Sequence, residues 1–250
     1  MEAPDPPDSA VIKREHGTLI WREDHPEAGP VVAKRYRHRT RWAALRERLT
    51  RFRVEREYHR LRYLDRAGIP VTEPLGWNHG HSSREGFHET LVMREVADAV
   101  PLDRFLRATD KTPDLAPLYR ILRDLHEAGF CHQTFYTQNV LIRPDAPPGE
   151  AYVLLDVPRS WIFPESIVGS SMARYDLLDL TLRIEAAGVP SAKIPLEAYG
   201  LTTADRRWWQ RHRDRNPAVK RARLRRDLVA RLRWGGGWLV SPLRRGSDRS

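Results

Sequence analysis

A chain of 250 residues, 40% hydrophobic and 30% charged, is long enough to bury a sizeable core and too apolar to be disordered. A single cysteine, Cys131, excludes an intrachain disulfide framework and fits a reducing compartment. The net charge of +10 is unevenly placed: residues 206–250 hold 15 Lys/Arg against 3 Asp/Glu, which leaves 28 against 30 in residues 1–205. In chain order, residues 1–9 read as a flexible lead-in, acidic and proline-bearing, without the apolar run of a secretory signal. Residues 10–36 read as three short strands: Val11-Ile12, then Thr18 to Trp21 after the His16-Gly17 turn, then Val31-Val32-Ala33 running into Lys34. Residues 41–66 carry helical spacing at Trp42, Leu45, Leu49 and Phe52, continued by Tyr58, Leu61 and Leu64 after a phase slip near Val54. Ala67-Gly68-Ile69-Pro70 stops that helix.

Thr90 to Val96 reads as a buried strand. Leu115, Leu118, Tyr119, Leu122 and Leu125 line one face of a helix ending at Gly129. Val153-Leu154-Leu155 is a short strand ending in Asp156, and Tyr175–Ala186 and Ala218–Arg233 read as helices before the Gly235-Gly236-Gly237 break. The order predicts an α+β fold: a strand-rich N-terminal lobe over 10–98, a helical C-terminal lobe over 99–234 with a basic last helix, and a loose basic tail over 235–250. No stretch reaches the roughly 20 apolar residues of a membrane span, so a cytoplasmic protein is expected.

Positions 132–139 read His-Gln-Thr-Phe-Tyr-Thr-Gln-Asn, followed by the apolar run Val140 to Ile142. This is the outline of a kinase catalytic loop, H-R-D-x-x-x-x-N, with Thr134 where the aspartate stands. Phosphoryl transfer needs a cation for the phosphates, metal ligands, and a group that orients the attacking hydroxyl. Lys34 ends a Val-Val-Ala-Lys strand of the kind whose lysine meets nucleotide phosphates; alone it reads as a surface lysine. Glu57 is the candidate partner for Lys34, with Glu55 as its competitor on the same helix. Asn139 and Asp156 supply the hard oxygen ligands that Mg²⁺ takes, Asp156 from the end of a buried strand, where a turn residue before Pro158 is the bland alternative. His132 braces the loop in this reading; a satisfied core histidine is the competing one.

Taken in order, Lys34, Glu57, His132, Asn139 and Asp156 make the chain resemble the bacterial lipopolysaccharide-core kinases, which phosphorylate Kdo or heptose on a two-lobed protein-kinase-like fold. The resemblance runs from about Val31 to Leu182. It rests on Val31-Val32-Ala33-Lys34-Arg35-Tyr36, Ala67-Gly68-Ile69-Pro70-Val71, and Leu91-Val92-Met93-Arg94-Glu95 at the hinge. It continues through Leu125 to His132, Asn139 to Ile142, Leu154-Leu155-Asp156 with Arg159 three on, and Arg174 to Leu180, which looks like the family's Arg-x-x-Asp-Leu helix. The resemblance implies ATP and Mg²⁺ as cofactors, with Lys34, Glu57 and Glu95 toward the nucleotide. It also implies a lipopolysaccharide-core or lipid A precursor acceptor and work at the cytoplasmic face of the inner membrane.

Two features depart from the pattern. Only Gly17 remains of a glycine-rich loop, in Arg14-Glu15-His16-Gly17-Thr18. Thr134 is no general base near neutral pH, although its hydroxyl can hydrogen-bond an acceptor. Two readings stay open: a weak transferase, or an inactive pseudokinase serving as a nucleotide-binding or scaffold module. The basic segment adds Arg206, Arg207, Trp208, Trp209 and Arg211, and Leu224, Leu228 and Leu232 on a later helix. Such a segment fits an anionic membrane surface as a peripheral protein, with nucleic acid a weaker alternative and packing on the C-terminal lobe the bland one.

Overall fold

A computed structural model describes residues 6–15, 17–38, 52–82, 86–109, 112–157 and 160–213. The expected helical turns over 39–51, Arg159, the helix over 218–233 and the tail lie outside these residues. The chain divides into two compact units, Met1–Asp98 with Asp156–Pro158, and Ala99–Leu155 with Arg159–Ser250.

The first unit opens with a 3-10 turn at Asp8–Ala10 and is built on one antiparallel sheet. Its strands are β1 (Val11–Glu15), β2 (Thr18–His25), β3 (Gly29–Arg37), β4 (Pro74–Ser82) and β5 (Gly86–Arg94), in the order β1-β2-β3-β5-β4. Strand β3 is central and buried on both faces. Ala33 packs with Leu19 and Trp21 on one face. On the other face Lys34 stands opposite Leu91 and Tyr36 opposite Glu89. Helix α1 (Arg53–Arg66) packs on β4 and β5 and buries Val54, Glu57, Leu61 and Leu64, a single stripe at helical spacing. The helix ends at Ala67, and Gly68 follows at φ +72°.

The second unit has a three-stranded sheet, β6 (Val100–Pro101), β8 (Val140–Ile142) and β9 (Tyr152–Leu154), and a two-stranded one, β7 (Phe130–Cys131) with β10 (Trp161–Ile162). Four helices complete its described part: α2 (Leu102–Ala108), α3 (Ala116–Glu127), α4 (Ser171–Ala186) and α5 (Thr203–Arg213). Residues 175–181 of α4 are buried on every side, so α4 is the core helix of this unit. Ser170 starts it, its hydroxyl accepting from Ala173 N–H at 3.2 Å. The Tyr119 and Thr181 hydroxyls meet at 2.9 Å and tie α3 to α4. Gly129, at φ +74°, turns α3 into β7. A Cβ there would fall 2.7 Å from the Glu165 carbonyl oxygen and closer still to that of Phe163, so only glycine fits.

Thr202 and Asp205 form a reciprocal capping box at the start of α5. Asp205 N–H donates to the Thr202 hydroxyl oxygen at 3.2 Å, and Thr202 N–H donates to the Asp205 carboxylate at 3.1 Å. Arg174 adds an ion pair at 2.7 Å that joins α4 to α5. Burial pushes the Asp205 carboxyl up, but the Thr202 hydroxyl and Arg174 outweigh this and hold it below the usual range. A depressed carboxylate stabilises above its ordinary value and loses that contribution as pH falls. Asp205→Ala is therefore expected to cost about 1–2 kcal/mol at pH 7. The deficit should fade once the pH drops below 3.8, as urea unfolding at pH 7 and pH 3 would show.

Some features differ from the sequence expectation. Strand β4 was not foreseen: it holds Gly76, Asn78, His79 and Gly80, yet as an edge strand it needs only one neighbour's ladder. Helix α2 was missed as well, being only seven residues long. The strand expected at Thr90–Val96 begins at Gly86 and stops at Arg94, and α4 starts four residues before Tyr175. Of the readings left open for Trp208 and Trp209, packing within the second unit is the one the structure shows. Trp209 is buried against Leu178, while Trp208 stacks on His212 at 4.1 Å and meets Tyr175 edge-on at 5.0 Å.

Candidate active site

The first unit brings together three of the expected residues. Lys34 Nζ lies 2.9 Å from Glu57 Oε1 and 3.0 Å from Asp156 Oδ1. Glu57, not Glu55, is the partner: it sits on the buried stripe of α1, while Glu55 is only half-buried. The lysine is buried, the glutamate fully so, and the aspartate is about a third exposed, with a side-chain exposure of 30%. Asp156 thus joins a buried cluster while keeping one side toward solvent.

A second donor completes the cluster. The Tyr36 hydroxyl donates to Glu57 Oε2 at 3.2 Å, and the Arg53 guanidinium covers its ring at 3.9 Å. Tyr36 was missed in the sequence, although two residues beyond Lys34 on a strand places it on the same face. Burial alone would lower the Lys34 ammonium, but Glu57, then Tyr36 and Asp156, hold it above its ordinary range. Burial and Asp156 push the Glu57 carboxyl up to about 7 against the pull of Lys34. One cation between two carboxylates leaves the cluster acidic, which suits a site that takes a divalent ion with its phosphates.

Glu95 stands just past β5. Its backbone N–H donates to the Pro30 carbonyl at 3.0 Å, and its carboxylate accepts from Arg22 Nε at 2.6 Å. Residues 16–17 alone separate β1 from β2, since Glu15 pairs with Thr18. Gly17 there has φ +84°. A turn this tight has no span of consecutive N–H groups to wrap a triphosphate.

The second unit holds the loop over 132–139. Asp176, fully buried on α4, accepts the His132 N–H at 2.7 Å on one oxygen and the Gln133 N–H at 3.0 Å on the other. Gln133 has φ +64°, a conformation that costs a non-glycine residue about 1 kcal/mol and persists only when held. The His132 ring is buried, edge-on to Phe135 at 5.0 Å. Asn139 Nδ2 donates to the Thr134 carbonyl at 3.1 Å, which leaves the amide oxygen as the atom to offer a cation. The Thr134 side chain is half-buried. Arg183 stacks on the Tyr136 ring at 3.4 Å. Sequence reasoning quoted Asp176 as part of a motif but missed its role; a lone carboxylate among Tyr175, Leu177 and Leu178 was the available signal.

A family model described as "Lipopolysaccharide kinase (Kdo/WaaP) family" matches residues 22–180, more than half of the chain. The chain belongs to this family. A solved structure, WaaP in complex with acyl carrier protein, aligns with a TM-score of 0.52. The alignment covers 87% of this chain and 86% of that one at 19% identity, and shows a shared kinase-like fold. No curated protein matches the chain. The matched stretch contains every candidate residue: Lys34, Glu57, Glu95, His132, Thr134, Asn139 and Asp156.

Each unit holds one residue of the kind Mg²⁺ takes. Asp156 in the first unit offers a carboxylate and Asn139 in the second an amide oxygen, and Mg²⁺ usually takes one or two carboxylates and completes its shell with waters and phosphates.

Proposed function

We propose that this family member transfers the terminal phosphoryl group of ATP to a sugar hydroxyl of the lipopolysaccharide core, Kdo or heptose. The observation that carries this reading is Lys34, buried between Glu57 and Asp156. A buried lysine with two carboxylates is poised to exchange one of them for phosphate oxygens. In this reading Lys34 binds the phosphates, and Glu57 with Tyr36 fixes the lysine. Glu95 borders the nucleotide, and Asp156 and Asn139 hold Mg²⁺. When bound, that ion supplies charge neutralisation at the phosphates. His132 shapes the loop. Thr134 stands at the acceptor position and orients the sugar hydroxyl by hydrogen bonding rather than by taking its proton.

Thr134 also favours a second reading, a pseudokinase that binds nucleotide without transfer. One substitution separates the two. A positioned base contributes roughly 10²–10⁴-fold, so Thr134→Asp is expected to raise phosphate transfer to a core acceptor by about 100-fold or more. No gain, with Mg-ATP binding intact by calorimetry, would leave the scaffold reading.

The proposed partners are a lipopolysaccharide-core or lipid A precursor and the anionic inner-membrane surface. Arg206, Arg207 and Arg211 are exposed on α5, and the basic residues that follow them extend the same charge. Among the described residues no helix is long and apolar enough to cross a membrane. The proposed association is peripheral, at the cytoplasmic face. Nucleic acid is the weaker alternative, and its binding would fall steeply with salt.

A further inference from the structure

Helix α1 carries Glu57, yet its start has no cap of its own. Phe52 occupies the N-cap position with no side-chain hydrogen bond, and the first N–H groups of a helix lack intrahelical partners. One of them is satisfied from the sheet: Val54 N–H donates to Glu89 Oε2 at 3.0 Å. Glu89 lies on β5 and is fully buried. Its other oxygen accepts from His38 Nε2 at 2.5 Å, and His38 is itself mostly covered, with its ring 5.4 Å from that of Phe87. A buried carboxylate is costly unless its oxygens are taken, and here both are.

The register gives this cap a consequence. Glu89 stands opposite Tyr36, and Lys34 opposite Leu91, so Glu89, Tyr36 and Lys34 share one face of the sheet. On α1, Val54 and Glu57 are three residues apart and share one side of the helix. The helix is therefore cross-linked to the sheet twice, one turn apart and in opposite senses. The sheet's Glu89 accepts from the helix backbone at Val54, and the helix's Glu57 accepts from the sheet's Lys34 and Tyr36.

We propose that Glu89, held by His38, is a positioning residue: it anchors the first turn of α1 and so sets the reach of Glu57 to Lys34. The inference rests on the phosphate-binding role proposed for Lys34 only in its functional consequence; the anchoring is tested on its own.

The experiment is amide hydrogen exchange on the full chain, paired with Mg-ATP calorimetry, for wild type, Glu89→Leu and Glu89→Gln. Leucine removes the cap, while glutamine keeps an acceptor oxygen for Val54. In Glu89→Leu the amides at the start of α1 should exchange about tenfold faster, with β3 and the end of α1 unchanged. Mg-ATP affinity should fall several-fold, and glutamine should restore most of both. Unchanged exchange at the start of α1 overturns the proposal. So does equal acceleration through β3, β5 and α1 in both variants, which marks a merely structural role. Should Glu89→Leu not fold, His38→Ala carries the test: faster exchange confined to the start of α1 supports the anchor, and none overturns it. If Lys34→Met leaves Mg-ATP binding untouched, the functional reading fails while the exchange data still decide the anchor.

Discussion

Lys34→Met is expected to destabilise the protein by about 3–5 kcal/mol at pH 8, the cost typical of stripping one partner from a buried ion pair. The methionine fills nearly the same volume, so the loss is electrostatic rather than a cavity. Glu57 would be left fully buried with only the Tyr36 hydroxyl donating to it and Asp156 as a like charge nearby. The pH dependence follows from the sign of the Glu57 shift. Its carboxyl is already raised to about 7, and without the lysine it rises further. A carboxyl raised in the fold stabilises below its ordinary 4.5 and loses that contribution as pH rises through the folded value. Wild type completes this loss near pH 7, whereas the variant continues to lose stability above it. Urea unfolding at pH 6 and pH 8 should therefore show a gap that widens with pH. A gap of equal size at both would mean that Glu57 is not the group left exposed to the change. Mg-ATP binding should be lost in the same variant.

Asp176→Ala is expected to cost about 3–6 kcal/mol, since two hydrogen bonds to a charged acceptor are removed and each is worth roughly 1.5–3 kcal/mol. The two N–H groups belong to His132 and Gln133, and the His132 ring is buried. Gln133 would also lose what holds it at φ +64° and should relax to an ordinary conformation. Loop residues Thr134 and Asn139 follow directly in the chain, so transfer should disappear with the stability. Asp176→Asn keeps one acceptor and should fall between. Its amide would turn a donor toward a donor at one of the two positions, and exchange of the His132 and Gln133 amides would report which. An alanine variant within 1 kcal/mol of wild type would remove Asp176 from the role given to it.

Lys34, Glu57 and the loop over 132–139 were legible because each belongs to a spaced pattern with a chemical reason. The choice between Glu57 and Glu55 needed only the phase of the Leu61–Leu64 stripe, which the helix itself carries. Strand β4 was not legible: its polar and glycine residues lack the alternation that burial on one face imposes. The Glu89–Val54 cap and the Asp176 anchor span 35 and 44 residues, and no local periodicity records a hydrogen bond of that reach. The tryptophans of α5 stayed open in the sequence for a related reason. Amphipathic aromatics beside arginines suit a headgroup layer or a core equally well, and Leu178 decides the matter for Trp209.

Helix α4 has almost no outer side over residues 175–181, and this bears on how such a chain can drift. A surface helix tolerates change on its wet face, whereas α4 offers mutation little room that does not also disturb the core. Descendants that abandoned catalysis but stayed folded would keep Tyr175 to Thr181 nearly intact, Asp176 included. On the function proposed above, decay would surface first at Thr134, whose half-buried side chain is given only an acceptor-orienting role. An intact α4 in a relative is thus a record of folding, and so is an intact Lys34–Glu57 pair.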